Sequence, residues 1–115
     1  MYQFSYAEVV EDSPQDMRAR ERDALTRCVE MLETAEKSGP RSREAHEALT
    51  FLRRLWILFI QDLGSDGNDL PHDLRAQLIS IGIWVLKEIE RLHGGAKNSF
   101  ADLIEINAII RDGLA

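Results

Sequence analysis

One cysteine, Cys28, is too few for an internal disulfide, and three prolines in 115 residues leave long stretches with nothing to break a helix. Basic charge is also scarce. Fourteen Lys and Arg stand against 20 Asp and Glu, and the resulting net charge of −6 removes any general attraction to phosphate backbones or anionic lipid. No glycine-rich phosphate loop, no nucleophile elbow and no pair of carboxylates on one apolar face occurs. The histidines are scattered: His46 falls early in the second predicted helix, and His72 and His93 lie 21 residues apart at the two ends of the third. At 1.5 Å of rise per residue that separation is about 31 Å, too far to share a metal. No enzyme, metal or cofactor is expected. Cys28 lies in phase with Ala24, Leu25, Leu32 and Ala35, which assigns it to the core rather than to thiol chemistry.

What the chain does contain is apolar helix-forming sequence. An apolar fraction of 44% with 30% charged residues describes a soluble globular protein, and the length suits one domain. Its centre is Leu49 to Leu63, LTFLRRLWILFIQDL, in which Leu55 to Ile60 are six apolar residues in a row. The spacing Leu49, Leu52, Trp56, Phe59, Ile60, Leu63 fits a helix. Arg53, Arg54 and Asp62 leave far fewer than the roughly 18 uncharged residues a bilayer span requires, so this is a buried soluble helix and no membrane association is expected.

Taken in order, residues 1–12 read as an extended N-terminal arm and 13–115 as a single helical bundle domain. Tyr2, Phe4 and Tyr6 alternate with polar residues, so they share one side of an extended segment that either docks on the helical body or reaches for a partner. Ser13-Pro14 starts the first helix, which Gly39-Pro40 stops near Ser38. Its narrow stripe, Met17, Ala24, Leu25, Cys28, Leu32 and Ala35, predicts a helix that covers the bundle rather than centring it. Arg18, Arg20, Arg22 and Arg27 are interrupted by Glu21 and Asp23 and lack interleaved aromatics, which describes a solvated face and not an RNA-binding patch.

The second helix runs from Ser42 to about Gly64. The acidic link after it fails as a calcium loop: counting from Asp62, Gly64 stands where a ligand belongs and Asp73 where a bidentate glutamate belongs. Pro71 opens a third helix reaching His93, with Leu74, Leu78, Ile81, Val85, Ile89 and Leu92 as one stripe and Ile79, Ile83 and Leu86 as another. Trp84 lies off both stripes, closing an edge of the core or standing part-exposed as an anchor for a partner. Asn98 or Ser99 caps a fourth helix running to Asp112, with a wide apolar stripe that includes Ile106 and Ile110. Asn107 falls inside that stripe, either bonded to neighbouring backbone or offered to a partner.

The prediction is an all-α fold, a compact bundle of about four helices with an extended N-terminal arm. Its second and third helices carry apolar residues on two sides each, where a bundle helix usually needs one. The surplus is wrapped by the rest of the chain or awaits another.

Tyr2 and Tyr6, the Arg-Glu-rich first helix, LWILFIQDL at 55–63, LPHDLRAQLISIGIWVL at 70–86 and FADLIEINAIIRDGL at 100–114 together resemble the FlaF flagellar biosynthesis regulators of alphaproteobacteria. The resemblance implies a cytoplasmic factor needed for flagellin production and filament assembly. It implies a secretion chaperone that binds flagellin and works with FlbT, a regulator of flagellin mRNA translation. A cytoplasmic location also agrees with the absence of a basic-then-apolar leader. Flagellin's helical terminal segments would self-associate before export unless an apolar groove covered them, and surplus apolar surface can supply that groove.

The expected groove lies among the second, third and fourth helices. Trp56, Phe59, Trp84, Ile106 and Ile110 are the candidate anchors, Asn107 a polar register contact, and Tyr2, Phe4 and Tyr6 a cover. These positions come from hot-spot chemistry and the stripes, and the resemblance does not assign them. Two alternatives stand beside this reading: a post-transcriptional regulator acting on flagellin mRNA directly or through FlbT, and a homodimer that buries the surplus surface against itself.

Overall fold

The computed structural model describes residues 14–114, and among them the chain forms four helices: α1 (Pro14–Ser38), α2 (Arg43–Leu63), α3 (His72–His93) and α4 (Ala101–Gly113). The punctuation is that of the sequence. Gly39 takes a φ of 103° and its N–H returns to Ala35 O at 2.8 Å, closing α1 before Pro40. The Ser42 hydroxyl then accepts from Ala45 N at 3.0 Å and caps α2. One start differs from expectation. Neither Asn98 nor Ser99 occupies the cap position of α4, which falls to Phe100, a residue with no capping side chain. Instead Glu36 of α1 accepts the Phe100 N–H at 2.6 Å, while Ser99 Oγ accepts from Ala101 N at 3.1 Å. A carboxylate at a helix start satisfies an orphan donor and suits the positive dipole end, so a residue of α1 sets where α4 begins.

The helices pack as a chain of neighbours: α3 lies on α2, α2 on α1, and α1 on α4. Expected at the margin, α1 therefore sits between two helices. It does so because Leu25, Cys28, Val29, Leu32 and Ala35 are all buried, and its small Cys and Ala side chains let neighbours approach closely. Burial pushes the Cys28 thiol up to about 12, which makes it an inert core group. The apolar run of α2 is shared out: Trp56 and Phe59 are buried, Leu55, Ile57 and Ile60 half-buried, and Leu58 exposed.

Two contacts fix the centre. Gly82 of α3 meets α2 so closely that a Cβ there would stand 2.7 Å from Ile60 Cδ1 and 2.9 Å from Trp56 Cε3. Trp56 is itself fully buried against Phe59, ring centroids 5.2 Å apart, and its indole N–H donates to Asn107 Oδ1 of α4 at 2.8 Å. The Asn107 amide in turn donates to Leu103 O at 2.7 Å. This buried pair joins α2 to α4 and leaves neither polar side chain without a partner.

The arginines of α1 are not a uniformly solvated face. Arg18 is buried and paired with Glu21 and with Asp69 of the α2–α3 link. Arg22 donates to Leu114 O at 3.0 Å, and the Arg27 guanidinium stands 5.7 Å from the centre of the Phe51 ring. Desolvation raises the Glu21 carboxyl, with the Arg18 partner pulling the other way.

Two stability predictions follow from the centre. Gly82→Ala gains helix propensity of about 1 kcal/mol but forces a methyl onto a ring held by Asn107, so a net loss of about 1–3 kcal/mol is expected in urea unfolding. Asn107→Leu strands a buried indole N–H and should cost about 1–3 kcal/mol. Combined with Trp56→Phe, its cost should be clearly less than the sum of the two single losses. Additive losses in that cycle would mean that the hydrogen bond contributes nothing.

Candidate functional site: the groove between α3 and α4

Because α3 rests on α2 and α4 rests on α1, the two outer helices leave a furrow between them. It is lined by Ile81 and Trp84 of α3 and by Asp102, Glu105, Ile106 and Ile109 of α4, a space of about 320 Å³. Trp84 is 39% exposed and Ile109 59%. An indole and three isoleucines around an open groove make a surface suited to the apolar stripe of a helix.

Of the residues chosen from sequence, the groove brings together Trp84 and Ile106. Trp56, Phe59, Asn107 and Ile110 are buried in the monomer, and the Trp56 and Asn107 polar atoms satisfy one another. In this fold they are interior residues and do not line the groove. Tyr2, Phe4 and Tyr6 lie outside the described residues. The groove also uses Ile81, Ile109, Asp102 and Glu105, which sequence reasoning did not choose. A signal for them exists: Leu103, Asn107, Ile110 and Leu114 already fill one inward face of α4, which leaves Ile106 and Ile109, at i and i+3, to line a second.

A second furrow lies between α1 and α2, with Leu55, Leu58 and Phe59 beneath it and Met17, Glu21 and Asp62 among its edges. Its rim carries both signs of charge, Arg20 beside the two acids. The helices also bring His46 and His93 together, ring centroids 6.1 Å apart, although the sequence set them in separate places. Among the described residues, no group of three or more His, Cys, Asp and Glu side chains could hold a metal ion. No helix among them is long and apolar enough to cross a membrane.

One end of the groove is braced by ion pairs. Glu88 of α3 is buried, and its carboxylate accepts from Lys97 Nζ at 2.5 Å and from Arg91 at 2.8 Å. Lys97 also donates to Asp102 at 2.6 Å, so one ammonium ties α3 to the first turn of α4. The Lys97 hydrogen bond holds the Glu88 carboxyl below the ordinary carboxylate value against the opposing effect of burial, with Arg91 assisting. The same acids, Asp102 first and then Glu88, raise the Lys97 ammonium.

A carboxyl held below its unfolded value adds stability that is complete above that value and is lost as pH falls through the folded one. Glu88→Gln should therefore cost about 1–2 kcal/mol at pH 7, a difference that narrows below about pH 4.5. Urea midpoints measured against pH check this; parallel curves for the two proteins would remove Glu88 as an acid-sensitive brace.

No curated protein and no solved structure matches the chain. The family model described as flagellar protein FlaF matches residues 2–114, which takes in all four helices and the groove between α3 and α4. On that match, the chain belongs to the FlaF family of flagellar proteins.

Proposed function

We propose that this protein binds flagellin in the cytoplasm as a secretion chaperone and so promotes flagellin synthesis and filament assembly, a helical terminal segment of flagellin lying in the α3–α4 groove. The observation that carries the reading is the apolar lining of that groove, exposed at Trp84 and Ile109 and half-buried at Ile81 and Ile106, in a chain of a flagellar protein family. Flagellin's terminal helices bury their apolar faces only in the filament, so a subunit awaiting export needs a temporary cover of this kind. The mechanism is stoichiometric. Trp84 supplies the central anchor, the isoleucines give apolar contact on both sides, and the net charge of −6 keeps the complex soluble.

The second reading is regulation of flagellin mRNA translation with or through FlbT. The furrow between α1 and α2, where Leu58 is 59% exposed, favours action through a protein, since it offers a second apolar contact away from the first. Direct contact with mRNA draws less support. Three of the arginines that would carry it are engaged within the fold: Arg18 with Asp69, Arg22 with the Leu114 carbonyl and Arg27 over Phe51.

Size-exclusion chromatography with light scattering, on the protein mixed with a cognate flagellin monomer at low and high salt, tests the first reading. A 1:1 complex that survives high salt is expected, and Trp84→Ala should weaken it roughly tenfold or more while leaving the melting temperature nearly unchanged. Absence of any complex, or equal binding by Trp84→Ala, would overturn the groove as the flagellin site.

A further inference from the structure

The two walls of the α3–α4 groove differ in charge, and the difference states what kind of helix fits between them. On α4, Asp102, Glu105, Ile109 and Asp112 follow one another at spacings of three, four and three residues, so they form a single exposed stripe. Asp102 and Glu105 belong to the groove itself. Asp102 is partly neutralised by Lys97 at 2.6 Å, whereas Glu105 has no cationic partner among the described residues. Along the α3 wall one turn from Trp84, Ser80 and Lys87 are exposed, the second of them positive, and Glu88 is buried and paired with Lys97 and Arg91. The groove is thus apolar along its floor and acidic along its α4 edge, and no exposed acid stands one turn from Trp84 on α3.

We infer that this groove selects an amphipathic helix whose apolar stripe is bordered by lysine or arginine on the side that faces α4, with Glu105 as the residue that reads the charge. The inference deepens the proposed function and rests on the groove being the partner site. Apolar contact with Trp84 and the isoleucines excludes water beside Glu105, so an ion pair formed there is less screened than one on open surface. A helix bordered by glutamate or aspartate would set like charges against Glu105 and Asp102 in the same partly dry position, which supplies discrimination as well as attraction. The same charges argue against one way of seating a second copy of this chain: a two-fold axis across the groove would bring the two acidic α4 edges together.

The test uses the full chain and two synthetic helical peptides of equal length with the same leucine stripe, one bordered by lysine and the other by glutamate. At low salt the lysine peptide should bind roughly tenfold or more tightly than the glutamate peptide, and the preference should shrink at high salt. Glu105→Lys should abolish or invert the preference, whereas Glu33→Lys, the same charge change on an exposed position of α1, should leave it in place. Trp84→Ala should weaken both peptides. Equal loss from Glu105→Lys and Glu33→Lys would reduce the effect to net charge and overturn the inference, as would failure of the lysine peptide to bind. Flagellin separates the two proposals. If it binds wild type and Glu105→Lys equally, the charge selection fails and the flagellin reading stands; if it binds neither while the peptide preference holds, the reverse is true.

Discussion

The arrangement of the four helices depends on one buried hydrogen bond, from the Trp56 indole N–H of α2 to the Asn107 amide of α4. An indole and a carboxamide, each wholly removed from water, would be costly if either lacked a partner. Together they satisfy each other at 2.8 Å, and the spare Asn107 donor goes to the Leu103 carbonyl one turn back. The bond fixes the Trp56 ring, and the ring fixes the place where Gly82 allows α3 to lie down on α2. Through one side chain α2 thus meets both α3 and α4.

That registration creates the groove. With α3 held on α2 and α4 held on α1, the outer pair cannot close upon each other, and the isoleucines between them remain in contact with water. The Lys97 bridge from Glu88 to Asp102 stiffens the end where the chain turns from α3 to α4. A cleft between separately supported walls is a preformed surface, which lowers the ordering cost of binding a helix there. In the function proposed above, that surface covers an apolar helix that would otherwise associate prematurely.

Much of this was written locally in the chain. Helix ends at Gly39-Pro40, Ser42 and Gly94-Gly95 follow from backbone chemistry that needs no tertiary partner, and they appear where the sequence places them. The candidate site was legible only in part. Trp84 was marked by lying off both stripes of α3, and Ile106 by the excess of isoleucine on α4. Trp56 and Asn107 carried the same outward sign, an aromatic or polar residue in an apolar segment, and they turned out to face each other. Periodicity reports which face of its own helix a residue occupies, and says nothing of what stands opposite.

The sequence by itself therefore determined the number of helices, their boundaries to within a residue or two and the surplus of apolar surface, because all three depend on propensity, capping and the 3.6-residue period. Only the tertiary structure decided that α1 would sit between two neighbours, that Glu36 of α1 would cap α4, that Arg18 would turn inward to Asp69, and which apolar residues would line a groove. Those outcomes depend on pairings 51 to 64 residues apart, made by single hydrogen bonds and close contacts that no local pattern encodes.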